Sequence, residues 1–192
     1  ETEDMLHVDP RMRKEALGER VRAAMGRTAA GVVVISTHGP AGRGGITVSS
    51  FCSVSLDPPS ALACIRRDSS TLRLIVENGV FAANVLADNQ ADIAAAFASP
   101  TTAHEDRFTQ GVWLDEGAGG PTLTGAVAHF DCRLAQTTEF GSHTIIIGEI
   151  VEALSHPARE ALDGALRDVV EADPFEHRED GGTAADSLQA RD

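Results

Sequence analysis

The sequence predicts a mainly β protein with a few interposed helices, in which long antiparallel strands close into a barrel that the helices decorate. Three observations carry that expectation. Residues 125–138 and 143–154 read as two long strands joined around a Phe140-Gly141-Ser142 bend. Predicted helices are short and fewer than the strands, which argues against a doubly wound parallel sheet. Residues 46–55 form a strand-like run rich in hydroxyls (Thr47, Ser49, Ser50, Ser53 and Ser55), closed by an Asp57-Pro58-Pro59 turn. Ordinary core strands alternate apolar and polar residues or stay apolar throughout. Here, short hydroxyl side chains would let a flat polar ligand approach the backbone.

The elements follow in order. Residues 1–10 read as a mobile acidic arm, 11–172 as one domain and 173–192 as an acidic disordered tail. From residue 11 to about 27, Leu17, Val21, Ala24 and Met25 recur at helical spacing. Residues 32–36 are β-branched and predict a strand. The glycine-rich stretch 38–45 predicts a loop, and 46–55 the return strand of a hairpin. Residues 60–65 predict a short buried strand. Ser69 or Ser70 caps the next helix, with Leu72, Ile75 and Val76 on one face and Asn78-Gly79 as its stop. Residues 80–86 predict a strand, and 89–97 a helix capped by Asp88 with Ile93, Ala96 and Phe97 inward. Residues 99–111 and 115–121 predict irregular loops. Residues 157–172 fit either an amphipathic helix starting at Pro157 or, over 165–170, a strand.

The net charge is −13, placed mostly at the ends. The first ten residues hold four acids and no Lys or Arg, and residues 171–192 hold seven acids against two arginines. That leaves no basic face for nucleic acid. No apolar run approaches the ~20 residues of a membrane helix. The first residues show neither the basic nor the apolar part of an export signal, so a cytoplasmic location is expected. Cys52, Cys64 and Cys132 lack metal or redox spacing and read as buried thiols of a reducing compartment; a thiol beside a cofactor is the other reading. The histidines show no metal-ligand spacing, and no metal is expected. The glycines at 42, 44 and 45 are followed by neither a P-loop nor a dinucleotide fingerprint.

Several motifs in order resemble one family. They are Gly26-Arg27-Thr28-Ala29-Ala30-Gly31 with the apolar run after it, Gly45-Ile46-Thr47-Val48-Ser49-Ser50-Phe51, and Ser53-Val54-Ser55-Leu56-Asp57-Pro58-Pro59. Then come Ser69-Ser70-Thr71, Phe81-Ala82-Ala83-Asn84-Val85-Leu86, Phe97-Ala98-Ser99, Asp106-Arg107-Phe108 and Gly141-Ser142-His143-Thr144 running on to Glu149. The chain is similar in these pieces, over about residues 21–154, to the short-chain flavin reductases. The resemblance implies an FMN-binding split β-barrel, Greek-key-like and dimeric, with flavin near the subunit interface. It implies that NADH or NADPH reduces FMN or FAD, and that reduced flavin passes to a partner flavin monooxygenase.

The resemblance also implies the candidate residues. Thr47, Val48, Ser49, Ser50, Ser53 and Cys64 would line the flavin, whose carbonyls and ring nitrogens accept N–H and O–H donors. Ser69, Ser70 and Thr71 open a helix whose free N–H groups suit a phosphate, although the same serines would serve as plain caps. Arg66 or Arg67 would add charge or simply face solvent. His143 is the candidate catalytic residue, beside the nicotinamide. Asn84 reads as a structural brace; Arg107 and Phe108 either close over the cofactor or anchor a loop. The chain has no Tyr and departs from the family's last strand, which leaves a flavin carrier with little reductase activity as the alternative. An oxidase of the pyridoxamine-phosphate type would need a basic phosphate pocket that the scattered arginines do not assemble.

Overall fold

The computed structural model describes residues 10–156; the arm at 1–9, the ambiguous segment 157–172 and the tail 173–192 lie outside the described residues. Helix α1 spans Pro10–Met25. The strands are β1 Val33–Gly39, β2 Gly42–Val48, β3 Cys52–Leu56, β4 Pro59–Arg66 and β5 Val80–Val85, with α2 Ser70–Asn78 between β4 and β5. Helices α3 Ala91–Ala98 and α4 His104–Arg107 follow, then β6 Trp113–Leu114, β7 Thr122–Leu123, β8 Ala128–Phe140 and β9 His143–Ser155.

Seven strands form one antiparallel sheet in the order β2-β1-β5-β8-β9-β4-β3, with β6 and β7 as a separate small pair. The two end strands, β2 and β3, are consecutive in sequence, so the sheet curls until its edges meet at residues 49–51. That seam is closed by a side chain. The β3–β4 ladder ends at Cys52 opposite Leu62. Two residues further along β4, Ser50 Oγ accepts from Cys64 N at 2.9 Å and donates to Cys64 O at 3.2 Å. A hydroxyl thus takes the place of the missing strand partner.

The core explains the apolar run at the start of β1. Val33 and Ile35 point into the barrel interior with Ile65, Ile75 and Phe81. Val32 and Val34 point the other way, into a second cluster with Phe97, Phe108 and Leu123. A strand buried on both faces reads as continuously apolar. Asn84 stitches the second cluster to the sheet: its Nδ2 donates to Val34 O at 3.2 Å and Ser36 Oγ at 3.0 Å, and its Oδ1 accepts from Leu123 N at 2.8 Å. The bracing role expected of Asn84 is what these bonds perform. Arg107 is likewise a loop anchor. It is buried and donates to Gly45 O at 2.7 Å, Ser99 O at 2.8 Å and Thr102 O at 3.0 Å.

The structure corrects several expected boundaries. Residues 38–45 are not a loop: β1 and β2 run to Gly39 and from Gly42, and Pro40-Ala41 alone turns the chain. The glycines serve packing instead, since a Cβ at Gly44 would lie 2.5 Å from Leu74 Cδ1 and one at Gly45 2.5 Å from Phe97 Cε1. Residues 46–55 are two strands, split at the seam. Gln90, not Asp88, stands before α3, and its Oε1 accepts from Ala87 N at 2.9 Å. Val76 of α2 faces solvent because the helix buries only the Leu72–Ile75 side. Leu17, Val21 and Met25 form an apolar stripe on α1 that remains exposed. Cys52 is exposed on end strand β3, against the expectation of a buried thiol; Cys64 is half-buried. Cys132 is buried, and burial together with the Asp131 charge pushes its thiol up to about 12.

The β8–β9 hairpin is closed by Gly141-Ser142, with Gly141 at φ +58°. Its inner face alternates as a half-buried strand should, with Thr144, Ile146 and Gly148 inward. Gly148 has no side chain because the Phe81 ring fills the space; a Cβ there would lie 2.5 Å from Phe81 Cζ.

Candidate active site

The structure gathers the seam, the end of β4, the first turn of α2 and the start of β9 at one corner. Arg66, the last residue of β4, stands directly opposite His143, the first of β9. Its guanidinium grips Asp68 with two parallel bonds, Nε to Oδ1 at 3.0 Å and Nη2 to Oδ2 at 2.7 Å. The hydrogen bonds from Arg66, helped by its charge and opposed by slight burial, hold the Asp68 carboxyl below the usual carboxylate range. His143 Nδ1 lies 2.9 Å from Ser142 Oγ. The Gly141-Ser142 turn is fastened to the chain after β4, because Arg67 N donates to Ser142 O at 3.0 Å and Arg67 Nη1 to Gly141 O at 3.3 Å. Arg67 also pairs with Glu139 at 3.5 Å. His143 is therefore held from two sides.

The predicted hydroxyls divide into two groups. Ser49 and Ser53 are exposed, and Ser69 precedes α2 without a side-chain cap bond. The others are engaged by the protein. Ser50 holds the seam; Thr47 Oγ1 donates to Ala94 O at 2.8 Å, and Thr71 Oγ1 to Gly45 O at 3.1 Å. Ser70 Oγ lies 2.8 Å from His104 Nε2. Val48 is buried in the barrel core, and Cys64 reaches the corner through its backbone bonds to Ser50. Ser49, Ser50, Cys64, Arg66, Ser69 and His143 thus share the corner, while Thr47 is tied to α3. Ser53 lies farther along β3.

The helix end at this corner favours an anion on chemical grounds. The first turn of α2 carries no acidic residue, so its N–H groups and positive dipole end favour an anion. Ser49–Phe51 belong to neither strand and leave backbone donors outside the ladders. Among the described residues, no group of three or more His, Cys, Asp or Glu could hold a metal ion, and no helix is long and apolar enough to cross a membrane.

Sequence reasoning assigned no role to Asp68 or His104. Asp68 could have been found from its place two residues after Arg66, within reach of a bidentate guanidinium. Nothing in the sequence marks His104, which reaches α2 only through the folded chain. Burial pulls its imidazole below the ordinary 6.5, Arg107 pulls the same way, and Glu105 opposes. A histidine whose folded value is lowered favours the neutral form in the fold. As pH falls below 6.5 the unfolded chain protonates first, so stability drops until the folded value is passed. NMR titration is expected to place the His104 ring below 6.5, and thermal midpoints should fall less steeply with acid in His104→Gln. A His104 titration at or above 6.5 would contradict this.

A split barrel closed by a side-chain clasp, with an anion-favouring corner, defines the structural class. Residues 25–167 match the profile of the flavin reductase like domain. The FMN reductase (NADH) RutF of Ancylobacter novellus is 39% identical over 144 residues, covering 75% of this chain and 79% of its own. The flavin reductase (NADH) of Kitasatospora aureofaciens is 41% identical over 143 residues, 73% of each chain. Among solved structures, the Streptomyces globisporus NADH:FAD oxidoreductase SgcE6, in complex with NAD and FAD fragments, superposes with a TM-score of 0.70 at 35% identity, over 80% of this chain and 88% of its own. BorF, the flavin reductase component of a bacterial two-component tryptophan halogenase, gives 0.70 at 33% identity, over 76% and 92%. The chain belongs to the flavin reductase like family, and its architecture is that family's split β-barrel.

Proposed function

We propose that this chain uses NADH, or NADPH, to reduce FMN or FAD and releases reduced flavin to a flavin-dependent monooxygenase or halogenase. The observation that carries the reading is the corner itself, where His143, Arg66 and the α2 N-terminus meet the Ser49–Phe51 bend, in a chain 39% identical to an NADH-dependent FMN reductase. The flavin would supply the ring that accepts two electrons from the nicotinamide. Backbone groups at 49–51, with Ser49, Cys64 and, farther along β3, Ser53, would hold the ring and its side chain. Ser69, Ser70 and the N–H groups behind them would hold the phosphate, with Thr71 fixing that turn from behind through its bond to Gly45 O. Thr47 and Val48 act from behind, by fixing β2 against α3 and the core. His143, steadied by Ser142, would orient the nicotinamide, whose reacting carbon must lie within van der Waals reach of the flavin. The chemistry resides in the two ring systems; the protein contributes position and exclusion of water.

A homodimer fits the exposed apolar surface. Leu56 of β3 is 87% exposed, and the α1 stripe of Leu17, Val21 and Met25 is more than half exposed throughout; surface of this kind marks a contact with another chain. We take residues 11–172 as the catalytic unit, with 1–10 and 173–192 as acidic extensions, and place the reaction in the cytoplasm, where reduced nicotinamide and free thiols coexist.

The test is oxidation of NADH and NADPH by the purified protein, followed at the nicotinamide absorbance with added FMN or FAD. Flavin-dependent turnover is expected with at least one pair. No turnover with any of the four pairs would overturn the reading.

A further inference from the structure

The outer face of the β4–β9–β8 region carries one row of three unlike side chains. Arg66 pairs with His143, and His143 pairs with Phe140. Directly paired residues project to the same face of a sheet, with Cβ atoms about 5 Å apart. Strands lie about 4.8 Å apart, so the row spans roughly 10 Å, the size of a nucleoside. At its far end Phe140 is 81% exposed, beside a tight turn that is pinned to the body of the protein through Arg67. The opposite face of the same residues is already used, with Glu139 paired to Arg67 and Thr144 buried. An apolar ring exposed to solvent beside an anchored turn, in line with an imidazole and a guanidinium, is a surface for a flat, polar-edged ring. An aromatic face accepts a base by stacking.

We propose that Phe140 is a stacking platform for a flat ring of the nicotinamide dinucleotide, set in one row with His143 and Arg66. This rests on the reductase reading and names a residue that positions its substrate. Stacking on one side chain contributes equally to substrate and transition state, so its loss raises KM and spares kcat. The platform acts by its π face, so an aromatic replacement keeps the function and an aliphatic one of similar bulk does not.

The experiment compares wild type, Phe140→Ala, Phe140→Leu and Phe140→Trp in steady-state NADH oxidation, with flavin affinity and sedimentation measured in parallel. Phe140→Ala and Phe140→Leu are expected to raise KM for the dinucleotide by roughly tenfold, the size of one base stacked on one ring. Phe140→Trp keeps KM near wild type, and flavin affinity is the same in all four. Equal KM in wild type and Phe140→Leu would overturn the proposal, as would a change in sedimentation without a change in KM, which would make Phe140 part of a contact between copies. Wild type that oxidises no NADH in the presence of flavin would instead overturn the reductase reading, a result separate from any difference among the variants.

Discussion

Asn84→Ala is expected to cost about 3 kcal/mol of folding free energy and to lower the midpoint of thermal unfolding by roughly 10 °C. The side chain is fully buried and serves three pieces of the fold: β1 through Val34 O and Ser36 Oγ, the Pro121 carbonyl, and the Leu123 N–H. Alanine strands that N–H and these acceptors away from water, and each stranded group costs about 1–3 kcal/mol. Ser36 softens the loss, because its hydroxyl already donates to Pro121 O at 2.6 Å. The β6–β7 pair should loosen first, since Leu123 is held to the sheet by this amide. Calorimetry on the two proteins decides it. A midpoint within a degree or two of wild type would mean that water replaces the amide and that the brace is dispensable.

His143→Ala is expected to lower kcat/KM for the reduced nicotinamide by roughly 10- to 100-fold, as misplacement of a reacting group by about an ångström does. Flavin affinity should not move, because the groups proposed to hold flavin lie on β3, β4, α2 and the seam. Ser142→Ala, which removes the 2.9 Å contact to Nδ1, should give a smaller loss of the same kind. The split between the two measurements matters. If flavin affinity falls and turnover with saturating flavin is normal, His143 belongs to the flavin pocket and not to the nicotinamide. An unchanged kcat/KM removes it from the reaction altogether.

How far the sequence shows this site depends on distance along the chain. The β-rich, helix-decorated barrel is legible, because period-two patterning and the turn residues at Asp57-Pro58 and Gly141-Ser142 are local signals. Ile93 and Phe97 are legible as the buried face of α3 for the same reason. The stretch 38–45 misleads, since glycine breaks a strand by propensity and yet is required where Leu74 and Phe97 press against β2. The split of 46–55 into two strands is invisible because both halves are β-formers; only closure of the barrel decides where the chain must bend. The hydroxyls mislead more subtly. Ser, Thr and their spacing say that donors are present, but not that Thr47 and Thr71 give theirs to Ala94 and Gly45. The partnership of Ser70 with His104 spans 34 residues, and no local pattern announces it.

The Ser50 clasp has a consequence for how the wall behaves. A ladder of main-chain bonds unzips from its ends and is hard to open in the middle, whereas this join depends on one rotatable hydroxyl. A small turn of that side chain frees both polar groups of Cys64 at once. The weak point of the cylinder is thus a single side chain, so Ser50→Ala would open the wall at that point without touching any strand-to-strand bond.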